Sequence, residues 1–404
     1  MVTKAVRIGG DTAKKFTRGP FAGVDVNDSF AIAAMSESPV VVQLGKISFP
    51  DNLAPAASTL NGHTPGTTIT TALNDQSDVV VLLYTDLEIS ALLDMFTGDS
   101  TWSPARKKSW YGYGHNFGEF NKLIDGGDDD ALKAGILGYL FPMTIGNVRL
   151  LLYKTELHPK NNGKEIPFIP VIKQLVGELK PKLLISTGTA GAIGSHIQCG
   201  DVAITDSARL HLQETYAAFP TLDTLSQNKT ELKNAVTVND KYIKYAAQNF
   251  SKLSLPGLQQ CYAKIGSRSG YSFLKKNTTA PGIYVTSVNP APGLQPMDIV
   301  SADYLTVDDK NDSEGLQNMG IMNDTDDAFA FYAIEQMSGQ KPKWLSVRNA
   351  SEPQIVVPAF PAGTTPTQII DKLKSVAGAI YGVYQYCTTL NSAFACWGVM
   401  AGMN

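Results

Sequence analysis

Leu183-Leu184-Ile185-Ser186-Thr187-Gly188-Thr189-Ala190-Gly191-Ala192, followed after a short spacer by Gly200-Asp201-Val202-Ala203-Ile204-Thr205-Asp206-Ser207-Ala208-Arg209, is the stretch that decides how this chain is read. An apolar run (183–185) that ends in small and hydroxylated residues is the pattern of a buried strand opening into a loop. Such a loop leaves backbone N–H groups free to meet an anion or a sugar. Gly188 and Gly191 let a ligand come close to the backbone. A second short strand (202–204) follows the Gly200-Asp201 turn. Taken alone, a Gly-x-x-Gly loop is more often a tight strand-to-helix turn; the two blocks together are far more specific.

Outward from this stretch the chain alternates strand and helix. Residues 79–84 (Val-Val-Val-Leu-Leu-Tyr) predict a strand buried on both faces, and Thr85-Asp86-Leu87-Glu88 opens an amphipathic helix through Ile89, Leu92, Leu93 and Phe96. A strand at 148–153 and a helix at 168–179 lead into the glycine block. Strands at 282–286, 298–305 and 344–347 and a helix at 326–334 follow it. This order predicts a three-layer α/β domain over 77–404, with ligands at the strand C-terminal ends. Residues 1–76 are an N-terminal extension, with a strand at 40–42 and a Thr-, Ala-, Pro- and Gly-rich linker at 54–75. The aromatic insertion at 102–120 reads as a lid, a dimer contact or packing. Residues 376–403, interrupted by Gln385, Thr388, Thr389, Asn391 and Ser392, predict a buried helix or helix pair rather than a membrane span.

With 404 residues, 43% hydrophobic and 18% charged, the chain can bury a large core. A net charge of −3 makes no electrostatic case for nucleic acid or an anionic membrane. Cys199, Cys261, Cys387 and Cys396 lie far apart without metal-ligand spacing, which predicts buried free thiols in a reducing, cytoplasmic setting. The five histidines form no His-x-x-His or His/Cys cluster, so no metal is expected. The first ten residues lack the apolar core of a signal peptide. No Gly-x-Gly-x-x-Gly follows a strand, which argues against a dinucleotide-dependent oxidoreductase.

The two glycine-centred blocks resemble the nucleoside phosphorylase and nucleosidase superfamily, which includes methylthioadenosine/S-adenosylhomocysteine nucleosidase. There the corresponding segments read Asn-Thr-Gly-Ser-Ala-Gly-Gly, Lys-Val-Gly-Asp-Ile-Val and Asp-Glu-Ala-Arg. Three further segments extend the resemblance over roughly 78–400. Asp298 to Leu305 is similar to the family's Val-Ser-Gly-Asp-x-Phe, Asp324-Thr325-Asp326 to its Glu-Met-Glu, and Arg348-Asn349-Ala350-Ser351-Glu352 to its Arg-Ala-Ile-Ser-Asp. The resemblance implies a phosphorylase-type fold with a mixed central sheet. It also implies a small-molecule nucleoside or nucleotide ligand, no cofactor, and assembly as a homo-oligomer.

Cleaving an N-ribosidic bond requires a proton for the departing base and support for the ribosyl cation as a nucleophile approaches. By resemblance, Glu352 supplies the proton, although it replaces an Asp and its extra methylene shifts the carboxyl by about 1.5 Å. Asp326 takes the ribose hydroxyls; both family Glu residues are Asp here, and a shifted register would hand the role to Asn323 or Asp327. Glu88, with the glycine loop, orders the nucleophile, and Thr189 faces it. Ala190, Gly191, Arg209 and Thr325 line the ligand, with Tyr304 or Leu305 and Val347 near the base. Each has a structural alternative: Glu352 as a strand-end carboxylate, the acids as first-turn residues favoured by the helix dipole, Glu88 as a cap, Arg209 as an ion-pair partner of Asp206 or another acid.

The family's phosphorylases carry an Arg just before the glycine loop, where this chain has Ser186, and an early Gly-Asp-Pro-x-Arg loop that Gly10-Asp11-Thr12-Ala13-Lys14 only faintly echoes. Serine cannot supply the bidentate bonds an arginine gives to phosphate, which favours water as the nucleophile. Three readings stay open at this point: a purine nucleoside or nucleotide hydrolase, a phosphorylase, and a non-catalytic nucleoside-binding protein.

Overall fold

The computed structural model describes residues 47–74, 77–98, 110–124, 130–159, 166–193, 196–211, 231–250, 272–273, 280–286, 297–302, 319–352, 354–356 and 362–404. The expected strand at 40–42, Cys261, Tyr304 and Leu305 lie outside these residues. The strands are β1 (Pro55–Ala57), β2 (Thr68–Ile69), β3 (Val79–Leu83), β4 (Tyr111–Tyr113), β5 (Gly138–Ile145), β6 (Val148–Thr155), β7 (Leu183–Ala192) and β8 (Val202–Thr205). They continue with β9 (Ser207–His211), β10 (Glu231–Lys233), β11 (Ser272–Phe273), β12 (Ile283–Val285), β13 (Ile299–Ala302), β14 (Met322–Asp324), β15 (Lys343–Glu352) and β16 (Ile355–Val356). The longer helices are α1 (Asp86–Thr97), α2 (Phe168–Leu179), α3 (Asp240–Phe250), α4 (Asp327–Glu335) and α5 (Pro366–Ala401).

Alternation along the central strands builds two cores, one on each face of the sheet. Val80, Leu82 and Leu184 pack on one face with α2 and α4. Val79, Val81, Leu83 and Ile185 pack on the other with α1, α3 and α5. The result is a three-layer α/β fold around a mixed sheet, its main path running β10-β9-β13-β14-β7-β3-β6-β5-β4-β2. Parallel pairs at the centre (β3 with β6 and β7, β15 with β7) give way to the antiparallel β5–β6 pair, which turns at Gly146 and Asn147.

The helix termini are written into the sequence. Thr85 and Glu88 form a reciprocal capping box at the start of α1, and Gly98 closes that helix in the left-handed conformation. Thr365 and Gln368 form a second box on α5, with Pro366 in its first turn. At 36 residues α5 is roughly 54 Å long. It is one helix where one or two were expected, and it lies along β15 and α1. No helix among the described residues is long and apolar enough to cross a membrane.

Two segments differ from the sequence reading. Residues 47–74 are built into the sheet rather than linking to it: β1 pairs with β5, β2 with β4, and Trp397 donates to the Leu53 carbonyl at 2.8 Å. The glycine block is not a loop. It continues as strand to Ala192 because β15 runs parallel to it from Leu183 to Gly191. Of the aromatic insertion, Trp110, Tyr111 and Tyr113 are buried, and residues 102–109 lie outside the described residues. Cys199, Cys387 and Cys396 are buried.

Candidate active site

The site opens where β7 loses a neighbour. β15 holds one edge of β7 over nearly its full length. On the other edge β3 reaches only Ser186, and β14 begins pairing at Gly191. The gap between them is filled by Glu88 from the first turn of α1. Its Oε1 accepts the Thr189 N–H at 2.9 Å and the Thr189 hydroxyl at 3.2 Å. Its Oε2 accepts the Tyr84 and Thr85 N–H groups at 3.1 and 2.9 Å. Gly188, at φ +146°, is needed here: a Cβ would collide with the Glu88 carboxylate and the Arg348 guanidinium.

Arg348, on β15 and 1% exposed, is the centre of the buried charge. Its Nε donates to Asp327 Oδ1 at 3.0 Å and its Nη1 to the Thr189 carbonyl at 2.9 Å. Nη2 lies 2.5 Å from Asp327, 3.2 Å from Asp324 and 3.7 Å from Asp326; Nη1 lies 3.8 Å from Glu88. The guanidinium stacks over the Tyr84 ring at 5.0 Å. Ser186 and Ser346 each donate to Asp327 at 2.5 Å. Burial opposes ionisation of both Asp324 and Asp327. Arg348 and the serine hydroxyls nonetheless hold Asp327 below the ordinary aspartate range, whereas burial and the neighbouring acids push Asp324 well above it.

This arrangement sorts the acids between 323 and 327. Both oxygens of Asp327 are taken by Ser186, Ser346 and Arg348. Asp324 accepts from the Ser301 hydroxyl and from the Asp327 N–H. Asn323 is spent on the Val300 and Asp324 carbonyls. Asp326 differs. Its Oδ1 meets the Thr325 hydroxyl at 3.2 Å and His158 Nε2 at 2.9 Å, while among the described residues its Oδ2 has Arg348 at 3.7 Å, beyond hydrogen-bond range.

Glu352 forms a second corner. The β15–β7 register shifts between Ala350 and Glu352, a bulge that re-aims the side chains around it. Glu352 is 3% exposed and takes a bond from the Ser351 hydroxyl. Burial pushes its carboxyl from 4.5 up to about 7, against the small opposing effect of that bond. Tyr381, on α5, stands between the two corners: its hydroxyl is bonded to Thr189, and its charge neighbours are Glu88, Glu352 and Arg348.

The structure therefore brings together Glu88, Thr189, Asp326 and Thr325 around Arg348, with Glu352 linked to them through Tyr381. It separates Arg209, which pairs with Asp298 at 3.0 Å and Glu231 at 3.7 Å rather than with Asp206. Val347 is packed in the core shared with α5, and its carbonyl accepts from Thr187. Ala190 is buried on the opposite face, and Gly191 pairs with both Glu352 and Asn323. Asp201 is a clamp: it accepts from the Gln198 and Gly282 N–H groups and fastens β8 to β12. Sequence reasoning missed Arg348, Tyr84, His158 and Tyr381 as site residues. For Arg348 a signal existed, a single cation directly after the apolar run Trp344 to Val347 and three aspartates opening an apolar helix.

No protein-family model matches the chain, and no curated protein sequence does. Among solved structures, the chain is similar to 5′-methylthioadenosine/S-adenosylhomocysteine nucleosidase from Neisseria meningitidis, at 14% identity and a TM-score of 0.40, over 80% of this chain and 98% of that one. It is similar to futalosine hydrolase of Helicobacter pylori at 9% identity and a TM-score of 0.40, over 80% and 97%. It is also similar to S-adenosylhomocysteine nucleosidase from Streptococcus pyogenes at 12% identity and a TM-score of 0.42, over 81% and 98%.

Proposed function

We propose that the chain hydrolyses the N-ribosidic bond of a purine nucleoside or nucleotide and releases the free base. The observation that supports this reading is a pair of unlike acids, each tied to the Glu88 corner: Asp326 lies 3.7 Å from Arg348, and Glu352 shares Tyr381 as a neighbour with Glu88. Glu352 is buried in surroundings that keep its proton near neutral pH, and Asp326 has one carboxylate oxygen open to a ligand. The first suits a general acid for the departing base. The second suits the vicinal ribose hydroxyls, which need an acceptor without a donor of its own.

In this reading the C1′–N bond breaks with its electron pair going to the purine, which takes the Glu352 proton. Water held at the Thr189 hydroxyl attacks C1′ and gives its proton to Glu88, which frees an acceptor site by releasing that hydroxyl. Water is favoured over phosphate because Arg348 has its donors committed to Asp327, Asp324 and the Thr189 carbonyl. Ser186 is committed to Tyr84 and Asp327. A phosphate would enter a site whose cation is already neutralised.

The test is release of free base from adenosine, inosine and 5′-methylthioadenosine, with and without phosphate. Release without phosphate supports hydrolysis. Strict dependence on phosphate makes the protein a phosphorylase, and binding without release makes it a binding protein. Glu352→Gln keeps the size but removes the proton, and base release should fall by about 10² to 10⁴. Glu352→Asp should keep more activity than the Gln variant. Equal turnover for wild type and Glu352→Gln would refute the acid assignment.

A further inference from the structure

We propose that Gln354 reads the polar edge of the purine with both ends of its amide, and so admits 6-amino and 6-oxo purines alike; this rests on the N-ribosyl hydrolase reading. Gln354 is 2% exposed, yet among the described residues neither Nε2 nor Oε1 has a hydrogen-bond partner. A buried primary amide carries two donors and two acceptor lone pairs, and leaving all of them unmade is costly. The Ser351 hydroxyl, three residues before it, is already bonded. An amide kept dry and unbonded two residues from a protonatable acid is a group that waits for a ligand.

Its position fits that role. Gln354 lies between the end of β15 and β16, and β16 is paired with β11, so the backbone is held on both sides of it. Two residues apart in the chain, Glu352 and Gln354 have Cα atoms no more than about 7 Å from one another. That spacing suits one side chain at N7 of a purine and the other at its N1/C6 edge. Adenine offers there an acceptor at N1 and a donor on N6, which a Gln amide matches with two bonds. A 6-oxopurine offers the reverse, a donor at N1 and an acceptor at O6, and the amide matches it by turning over. No protein partner fixes which way the Gln354 amide faces, so neither orientation is excluded.

The test compares wild type with Q354L, an apolar replacement one atom shorter, on adenosine, inosine and purine riboside. KM for adenosine and for inosine should each rise about 10- to 100-fold, the range for losing a bidentate contact to a base. KM for purine riboside, which presents N1 but no 6-substituent, should rise less. Melting of the ligand-free protein reports folding independently: Q354L should melt at or above the wild-type temperature, because an unpartnered buried amide is gone. Unchanged KM for adenosine and inosine, in a protein that still releases base, overturns the role of Gln354 and leaves the hydrolase reading standing. If wild type releases no base, calorimetry with adenine and hypoxanthine decides. Binding of both that Q354L abolishes supports the role in a binding protein; equal binding, or none, overturns it.

Discussion

The two corners of the site are built on opposite principles. Around Arg348, Asp327 is saturated with donors, Arg348 is matched to acids, and Ser186 and Ser346 are locked onto Asp327. At the other corner Glu352 takes a bond from the Ser351 hydroxyl, and Gln354, two residues on, is a buried amide with no partner among the described residues. The first corner is finished before any ligand arrives; its charges are fixed and need no rearrangement during a reaction. The second is tuned by dryness, which raises the Glu352 carboxyl to about 7. In the proposed reaction the finished corner holds sugar and water, and the dry corner holds the base. Damage should therefore fall on stability at the first and on chemistry at the second.

The largest effect is expected at Arg348. Arg348→Met removes the cation that compensates Asp327 and leaves acids buried without a partner. Breaking a buried ion network from one side costs about 3–5 kcal/mol, which urea unfolding would measure, and base release should be lost with it. Adding Asp327→Asn should recover part of that stability, because the two residues are coupled. Glu352→Gln should cost far less stability while it removes most of the rate. If Arg348→Met unfolds no earlier than Glu352→Gln, the contrast between the corners fails.

The next effect is a pH dependence that only the dry corner should show. In the proposed reaction Glu352 acts as the acid, so kcat/KM should fall as pH rises through about 7. Stability carries the same sign. A carboxyl whose folded value lies above its unfolded value binds its proton more tightly when folded. Its contribution is full below the unfolded value of 4.5 and is lost as pH rises to about 7, an amount on the order of a few kcal/mol. Glu352→Gln should flatten both profiles between those limits. A wild-type rate that stays level from pH 6 to 8.5 (roughly the window around that value) would place the proton on another group.

What the sequence conveyed divides along physical lines. β3 and α2 are legible because they are unbroken apolar or amphipathic runs, and α1 because Thr85, Glu88 and Gly98 mark its ends. β7 reads as a loop past Ile185 because Ser, Thr and Gly are loop residues by composition. Its polar side chains are tolerated in a buried strand because each finds a partner from afar: Ser186 in Asp327, Thr187 in the Val347 carbonyl, Thr189 in Glu88. Local pattern cannot show that. Arg348 is hidden for the same reason, its acids coming from α1 and from the start of α4. β1 and β2, three and two residues long, are too short to show a period. Tyr381 sits in an aromatic-rich helix where nothing local distinguishes it from packing.

The smallest effect should come from the other arginine that sequence reasoning brought forward. Arg209 sits on β9, and β13 and β14 lie between β9 and β7. Three strand spacings put it roughly 14 Å from the edge where Glu88 docks. Its guanidinium grips Asp298 through Nε at 3.2 Å and Nη2 at 3.0 Å, and its side chain is 20% exposed. Arg209→Lys keeps the charge beside buried Asp298 but loses the fork that makes two bonds at once. The cost should be about 1 kcal/mol or less in unfolding free energy, with kcat/KM unchanged. The outcome that would matter is the reverse: an unchanged unfolding midpoint together with a tenfold or greater loss of kcat/KM (about 1.4 kcal/mol in transition-state binding). That would make Arg209 a ligand contact rather than a structural pair, and the site would then need a third part, reaching across the sheet to β9.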